Sequence, residues 1–200
     1  LTKVFAGIII APIGGVIFGM VLVGIIIAVF AKYRPAVVNR TFGRLQIISS
    51  TWFALTHGAN DGQKTMGIIV LILFSADLIS EIHMPLWVIL AAASAMSLGT
   101  FFGGYKVIKT LGLRITRLKP YQGFAAETGG GIMLAAFAIL GIPASTTHAI
   151  TGSVMGAGAA RRIRAVRWKV SRQIIFSWVI TIPGAAGLAI AFTYIIHLFV

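Results

Sequence analysis

The chain has 200 residues, 58% of them hydrophobic and only 10% charged, with a mean hydropathy of +0.97, which excludes an ordinary soluble domain and makes a bilayer the expected solvent. Its formal charge of +13 would suit a nucleic-acid binder, but such a domain spreads Lys and Arg over one soluble face; here fifteen of the seventeen basic residues fall in three short stretches, Lys32 to Arg44, Lys106 to Lys119 and Arg161 to Arg172. Short basic loops between apolar runs are the cytoplasmic signature of a polytopic membrane protein, and the absence of cysteine excludes disulfides and thiolate metal sites.

In chain order, the first crossing covers about residues 4–31. Val4 to Ala31 carries no charge and exceeds the roughly 20 residues that a helix needs to span a bilayer. It is too long and too weakly flanked by charge for a signal peptide, and the start at Leu1 without Met reads as that of a fragment. Gly15 and Gly19 stand at GxxxG spacing, which either admits a close helix neighbour or reflects ordinary glycine usage in membrane helices. The second crossing, about 45–76, is interrupted by Asn60, Asp61, Gln63 and Lys64, with Gly58 and Gly62 flanking the acid; the glycines predict an unwound, broken helix at membrane depth. Asp77 to Met84 holds acids and no base and reads as a non-cytoplasmic loop. The third crossing covers about 85–104. Residues 121–160 run between two basic stretches, so they make two passes or dip in and return as a hairpin, with the break near Gly141-Ile142-Pro143. The last crossing covers about 173–200. This parity puts both termini outside and every basic stretch inside. The fold class is therefore an all-α polytopic membrane protein with a broken helix and a helical hairpin.

Three constellations could carry chemistry. In His57-Gly58-Ala59-Asn60-Asp61-Gly62-Gln63-Lys64, a charged Asp61 in the membrane needs a cation, a donor network or a proton. With Asn60 and freed carbonyls it offers hard oxygen ligands to a small cation. Lys64, three residues on, shares its helical face and could pair with Asp61 or meet an anion; the alternative is a buried Asp61–Lys64 ion pair without any ligand. In Gly141-Ile142-Pro143-Ala144-Ser145-Thr146-Thr147-His148-Ala149, Gly141 and Pro143 end one helix and Ser145 caps the next. Three hydroxyls then stand beside free N–H groups and a positive dipole end, a site for a tetrahedral anion, or else plain capping. Glu127, in Gly123-Phe124-Ala125-Ala126-Glu127-Thr128-Gly129-Gly130-Gly131, is either a coupling-ion carboxylate close to the other two constellations or a structural partner for Lys64 or His148. His148 reads as a hydrogen-bonded core histidine, since no second His or Cys stands at metal-ligand spacing. His57, His83 and His197 receive no role. Ser145 and His148 are the only nucleophile-and-base candidates and lack a third member and an oxyanion hole, so no enzyme is read here.

HGANDGQK at 57–64, PASTTHA at 143–149 and GFAAETGG at 123–130 resemble the inorganic phosphate transporter (PiT) family over roughly Leu45 to Gln173. The resemblance implies a cation-coupled symporter of the cell membrane, built from two inverted repeats that each contribute one GAND-type break and one Ser/Thr-rich hairpin tip. With one copy of each, the chain resembles the C-terminal half of such a protein, so a missing N-terminal half is an expected partner. By matching position, Asn60, Gln63, Lys64, Ser145, Thr146 and Thr147 are expected to bind inorganic phosphate, and Asp61, Asn60 and Glu127 the coupling cation. Sodium or a proton would serve, with no other metal and no cofactor. Sulfate transport within the same family, a channel, a non-transporting assembly subunit and homo-oligomerisation stay open as alternatives.

Overall fold

The computed structural model describes residues 2–197, and among the described residues all regular structure is helical. Helix α1, Thr2–Val29, is apolar on all sides, which suits a helix surrounded by lipid and protein alone. Helix α2 runs Pro35–Ser75. Pro35 holds its first helical position, where the missing N–H would have had no partner anyway. Helix α3, Leu86–Lys109, widens into a π-helical stretch, Thr110–Ile115. Helices α4, Pro120–Ile139, and α5, Thr146–Ala159, form a hairpin. A single 3-10 turn, Ile163–Ala165, then leads into α6, Trp168–His197. Three of these segments, Lys3–Val29, Leu86–Ile115 and Trp168–His197, are long and apolar enough to cross a membrane, and the chain is a multi-pass membrane protein. The final residues of the expected crossing 173–200 lie outside the described range.

Two expectations about local structure are corrected. Helix α2 is continuous through Gly58 and Gly62, so the chain does not unwind there. A helical glycine costs only about 1 kcal/mol relative to alanine, and unwinding in lipid would strip backbone groups of hydrogen bonds that no water replaces. The clasp of His57, Asp61 and Lys64 described below also requires regular helical spacing. The second basic stretch is not a loop but largely the end of α3 and its π-helical extension, with Lys106, Lys109 and Arg114 on helical backbone. Cations near a helix C-terminus favour the helix through its dipole.

The interruption between α4 and α5 is built by specific residues. Gly141 has φ +60, the left-handed conformation that glycine adopts without penalty. Its N–H bonds to the Ala138 carbonyl at 3.2 Å and the Ile142 N–H to the Phe137 carbonyl at 2.9 Å, a Schellman termination. Ile142 also packs against the cluster holding Phe137, the apolar contact that accompanies this motif. Ser145, extended at φ −81 and ψ 118, accepts the His148 N–H on its side chain and starts α5. Gly141→Ala is expected to cost about 1–2 kcal/mol by forcing a Cβ into the left-handed region, measured as a lowered midpoint of thermal unfolding in detergent; an unchanged midpoint would contradict the strain.

The hairpin lies between α1 and α2 and supplies most of the core. On one side Gly15 and Gly19 of α1 meet Gly152 and Gly156 of α5. A Cβ on any of the four would strike a backbone carbonyl across the crossing, those of Ala149, Ser153, Pro12 and Val16 respectively. The GxxxG pair of α1 thus serves close approach, and Ser153 Oγ donates to the Gly15 carbonyl at 3.2 Å. On the other side α2 packs along α4, where Trp52 Nε1 would lie 2.6 Å from a Cβ on Gly131. Two apolar clusters result. One, with Ala11, Met133, Leu134, Phe137, Ala144 and Ala149, surrounds the hairpin tip. The other, with Ile26, Phe42, Ile115, Tyr121, Val154 and Val166, gathers the three basic stretches at the opposite end of the hairpin. Helix α6 touches the body sparsely, through Val170 and Ile174 at the basic end and through Trp178, while Arg167, just before it, donates its N–H to the Ile115 carbonyl at 2.8 Å; Ser171 is its buried residue among those described.

Candidate functional site

His57, Asp61 and Lys64 stand four and three residues apart, which puts all three on one face of α2. That face meets the hairpin tip. Lys64 Nζ donates to Asp61 Oδ1 at 3.0 Å, and His57 Nε2 lies 3.2 Å from Asp61 Oδ2. From the first turn of α5, Thr146 Oγ1 donates to the same Oδ2 at 2.9 Å. Lys64 Nζ also donates to the carbonyl of Ala144, two residues after Ile142. One carboxylate therefore holds an ammonium, a hydroxyl and an imidazole, and through two of them it ties α2 to the break between α4 and α5. The Asp61–Lys64 pair does form, but it is not isolated, and its side chains are about one-third exposed.

The remaining expected residues distribute around this contact. Ser145 is committed to capping, its Oγ 3.4 Å from the His148 nitrogen. Thr147 is exposed, as is Gln63, while Asn60 is buried with its Nδ2 unpartnered among the described residues. The first N–H groups of α5 have no intrahelical acceptor, so its N-terminus presents donors beside the Thr146 and Thr147 hydroxyls. This chain thus brings Asp61, Lys64 and Thr146 into direct contact, with Asn60 and Ser145 adjacent in sequence, and leaves Gln63 and Thr147 open for other groups.

Glu127 is elsewhere. Gln46 Nε2 donates to its Oε1 at 3.2 Å and Ser49 Oγ to its Oε2 at 2.5 Å, so its partners are neither Lys64 nor His148. Ser49 precedes Asp61 by twelve residues on a continuous helix, about 18 Å of axial rise. The expected proximity of Glu127 to the other two constellations is therefore not realised, because the antiparallel hairpin carries the middle of α4 away from its tip. His57, Gln46 and Ser49 went unassigned from sequence. His57 was legible from its spacing four residues before Asp61; Gln46 and Ser49 carried no signal beyond being polar in an apolar helix.

His148 is buried, lies against Trp178 with ring centroids 3.9 Å apart and leaves its Nδ1 without a partner among the described residues. Ser145 Oγ meets the His148 backbone and not its ring, so these two side chains do not pair as nucleophile and base.

The phosphate transporter family model matches residues 29–189, a span that takes in Asp61, Glu127 and the hairpin tip. The chain is 48% identical over 187 residues to a probable low-affinity inorganic phosphate transporter of Rhizobium meliloti (strain 1021), covering 93% of this chain and 56% of that protein. It is 36% identical over 197 residues to a protein of the same description in Bacillus subtilis (strain 168), covering 98% and 59%. A solved structure described as the sodium-dependent phosphate transporter superposes with a TM-score of 0.64 at 34% identity, over 73% of this chain and 37% of that one. The chain spans a little over half the length of these two curated relatives. Since the family match runs through the helices that build the contact and through the hairpin tip itself, the chain belongs to the phosphate transporter family.

Proposed function

We propose that this chain is one half of the membrane domain of a transporter that moves inorganic phosphate together with a cation by alternating access. The observation that carries the reading is the Thr146–Asp61–Lys64 contact, which joins a carboxylate fit to hold a cation to the start of α5, whose free N–H groups favour an anion. Phosphate would sit against the α5 N-terminus, held by backbone N–H groups, Ser145, Thr146 and Thr147, with Lys64 and Gln63 beside it. A cation at Asp61 and Asn60 would compete with Lys64 for the carboxylate. Its arrival would release the Lys64 ammonium toward the anion, so that each substrate favours the other. Glu127, bound by Gln46 and Ser49, would act at a second locus, holding a further cation or proton rather than completing the first site. The exposed Gln63 and Thr147 would be covered by the other half of the protein. Sodium is the first cation to test, on the description of the structural neighbour.

The test is uptake of radiolabelled phosphate into proteoliposomes of the full-length protein carrying this chain, under imposed sodium or proton gradients. Loss of the Thr147 hydroxyl in Thr147→Val removes one hydrogen bond to a charged ligand, worth about 1.5–3 kcal/mol, and should raise the KM for phosphate about tenfold or more. Unchanged KM would remove Thr147 from the site. Sulfate outcompeting phosphate would overturn the substrate, and uptake indifferent to both gradients would overturn the coupling.

A further inference from the structure

The end of the molecule remote from the hairpin tip has its own chemistry. The three basic stretches carry fifteen Lys and Arg and no acidic residue, and the cluster of Ile26, Phe42, Ile115, Tyr121 and Val166 draws them together. Among the described residues the ion pairs are those of Asp61, about 30 Å away along the twenty residues of α4. Among the described residues, the cations at this end have no carboxylate partner. Between the α1–α2 turn and the start of α4 lies a crevice of about 200 Å³. Lys119 and Arg161 reach it from the two ends of the hairpin, Tyr33 and Asn39 from the α1–α2 side, and Ile26 and Phe30 form an apolar wall along α1. Asn39 Oδ1 is buried there without a donor.

We propose that this crevice binds the headgroup of an anionic phospholipid. Lys119 and Arg161 take the phosphodiester, for which the guanidinium offers paired donors. Asn39 accepts from a headgroup hydroxyl, and the first acyl carbons run along Ile26 and Phe30. A basic pocket between transmembrane helices at the cytoplasmic face is the general form of such a site. The apolar wall selects a lipid over free phosphate, which has no apolar portion to bury. The half-open crevice, walled by hydrocarbon at one side and cations at the other, matches the boundary between acyl chains and headgroups, where Tyr33 and Tyr121 also belong.

The experiment titrates the full-length protein, purified in detergent and stripped of lipid, with dihexanoyl phosphatidylglycerol, dihexanoyl phosphatidylcholine or inorganic phosphate, counting bound ligand by native mass spectrometry. Phosphatidylglycerol should bind at least tenfold more tightly than phosphatidylcholine and should not be displaced by equimolar inorganic phosphate. The double variant Lys119→Gln, Arg161→Gln should lose that preference, whereas Lys106→Gln, Lys109→Gln, which removes the same charge outside the crevice, should keep it within about twofold. Equal loss in both pairs would make the effect diffuse surface charge and overturn the site. Displacement by inorganic phosphate would overturn the lipid assignment. The comparison of ligands on the unmodified protein holds even if a variant fails to fold, and equal binding of the two lipids there would by itself overturn the proposal.

Discussion

Asp61→Asn is expected to lower phosphate uptake by the full-length protein about 100-fold or more. The amide keeps the volume of the carboxylate and an oxygen for the Thr146 hydroxyl, but it leaves the Lys64 ammonium without its anion, 3.0 Å away in the native chain. Stranding one member of a buried pair costs about 3–5 kcal/mol. With the two side chains one-third exposed the stability cost falls below that range, and the loss of uptake rests chiefly on the missing cation carboxylate, about 3 kcal/mol of which corresponds to roughly two orders of magnitude. Asp61→Asn also removes the charge that would attract the coupling cation, so raising the cation concentration should not restore uptake. Thr146→Val, which deletes one hydroxyl contact to the carboxylate, should cost only about tenfold, near the 1.5 kcal/mol expected for a hydrogen bond to a charged group. Near-native uptake in Asp61→Asn, with protein levels in the membrane equal to wild type, would show that the contact is structural and not part of transport.

Gly152→Val should be the most damaging apolar substitution in the hairpin. A Cβ at Gly152 runs into the Pro12 carbonyl of α1, and backbone on both sides of the contact cannot move aside as a flexible side chain can. Overpacking typically costs about 1–3 kcal/mol, and more where nothing yields, so the variant should show a strongly lowered unfolding midpoint and rapid proteolysis at the 140–145 break. Gly24→Ala in α1 is the matched control: its Cβ meets nothing within 4 Å, and alanine is favoured over glycine in a helix by about 0.8–1 kcal/mol. It should be neutral or stabilising. Equal damage from both would mean that α1 and α5 do not meet as described.

Membrane class, helix order and the hairpin were legible in the sequence because each rests on a strong local rule. Uncharged length gives the spans, clustered Lys and Arg mark the helix ends that share one side, and Gly141 with Pro143 and Ser145 gives the break and the cap. The contact of Asp61 with Thr146 was not legible from either motif alone, since it spans 85 residues; only the family resemblance paired the two. The continuity of α2 was not legible because Gly58 and Gly62 permit a break without requiring one, and the bilayer removes the alternative partners that make unwinding cheap. The separation of Glu127 from Asp61 was not legible because spacing along the chain does not show that the antiparallel course of the hairpin sets Glu127 beside Gln46 and Ser49. The partners of Glu127, Gln46 and Ser49, were invisible for a different reason: a donor to a carboxylate is recognised by where it points, and sequence gives only its type.

The glycine crossing of α1 and α5 carries one more consequence. Helices that interlock through large side chains must unmesh before one can slide past the other, and each such step is a barrier between discrete arrangements. The α1–α5 surfaces at Gly15, Gly19, Gly152 and Gly156 meet as backbone against backbone, with Ser153 supplying a single side-chain hydrogen bond to Gly15 across them. Such a surface is a plain bearing: it holds the hairpin at close range while setting little resistance to shear along the helix axis. An axial displacement of the tip that bears Thr146 would have to break the Asp61 clasp, which joins that tip to α2.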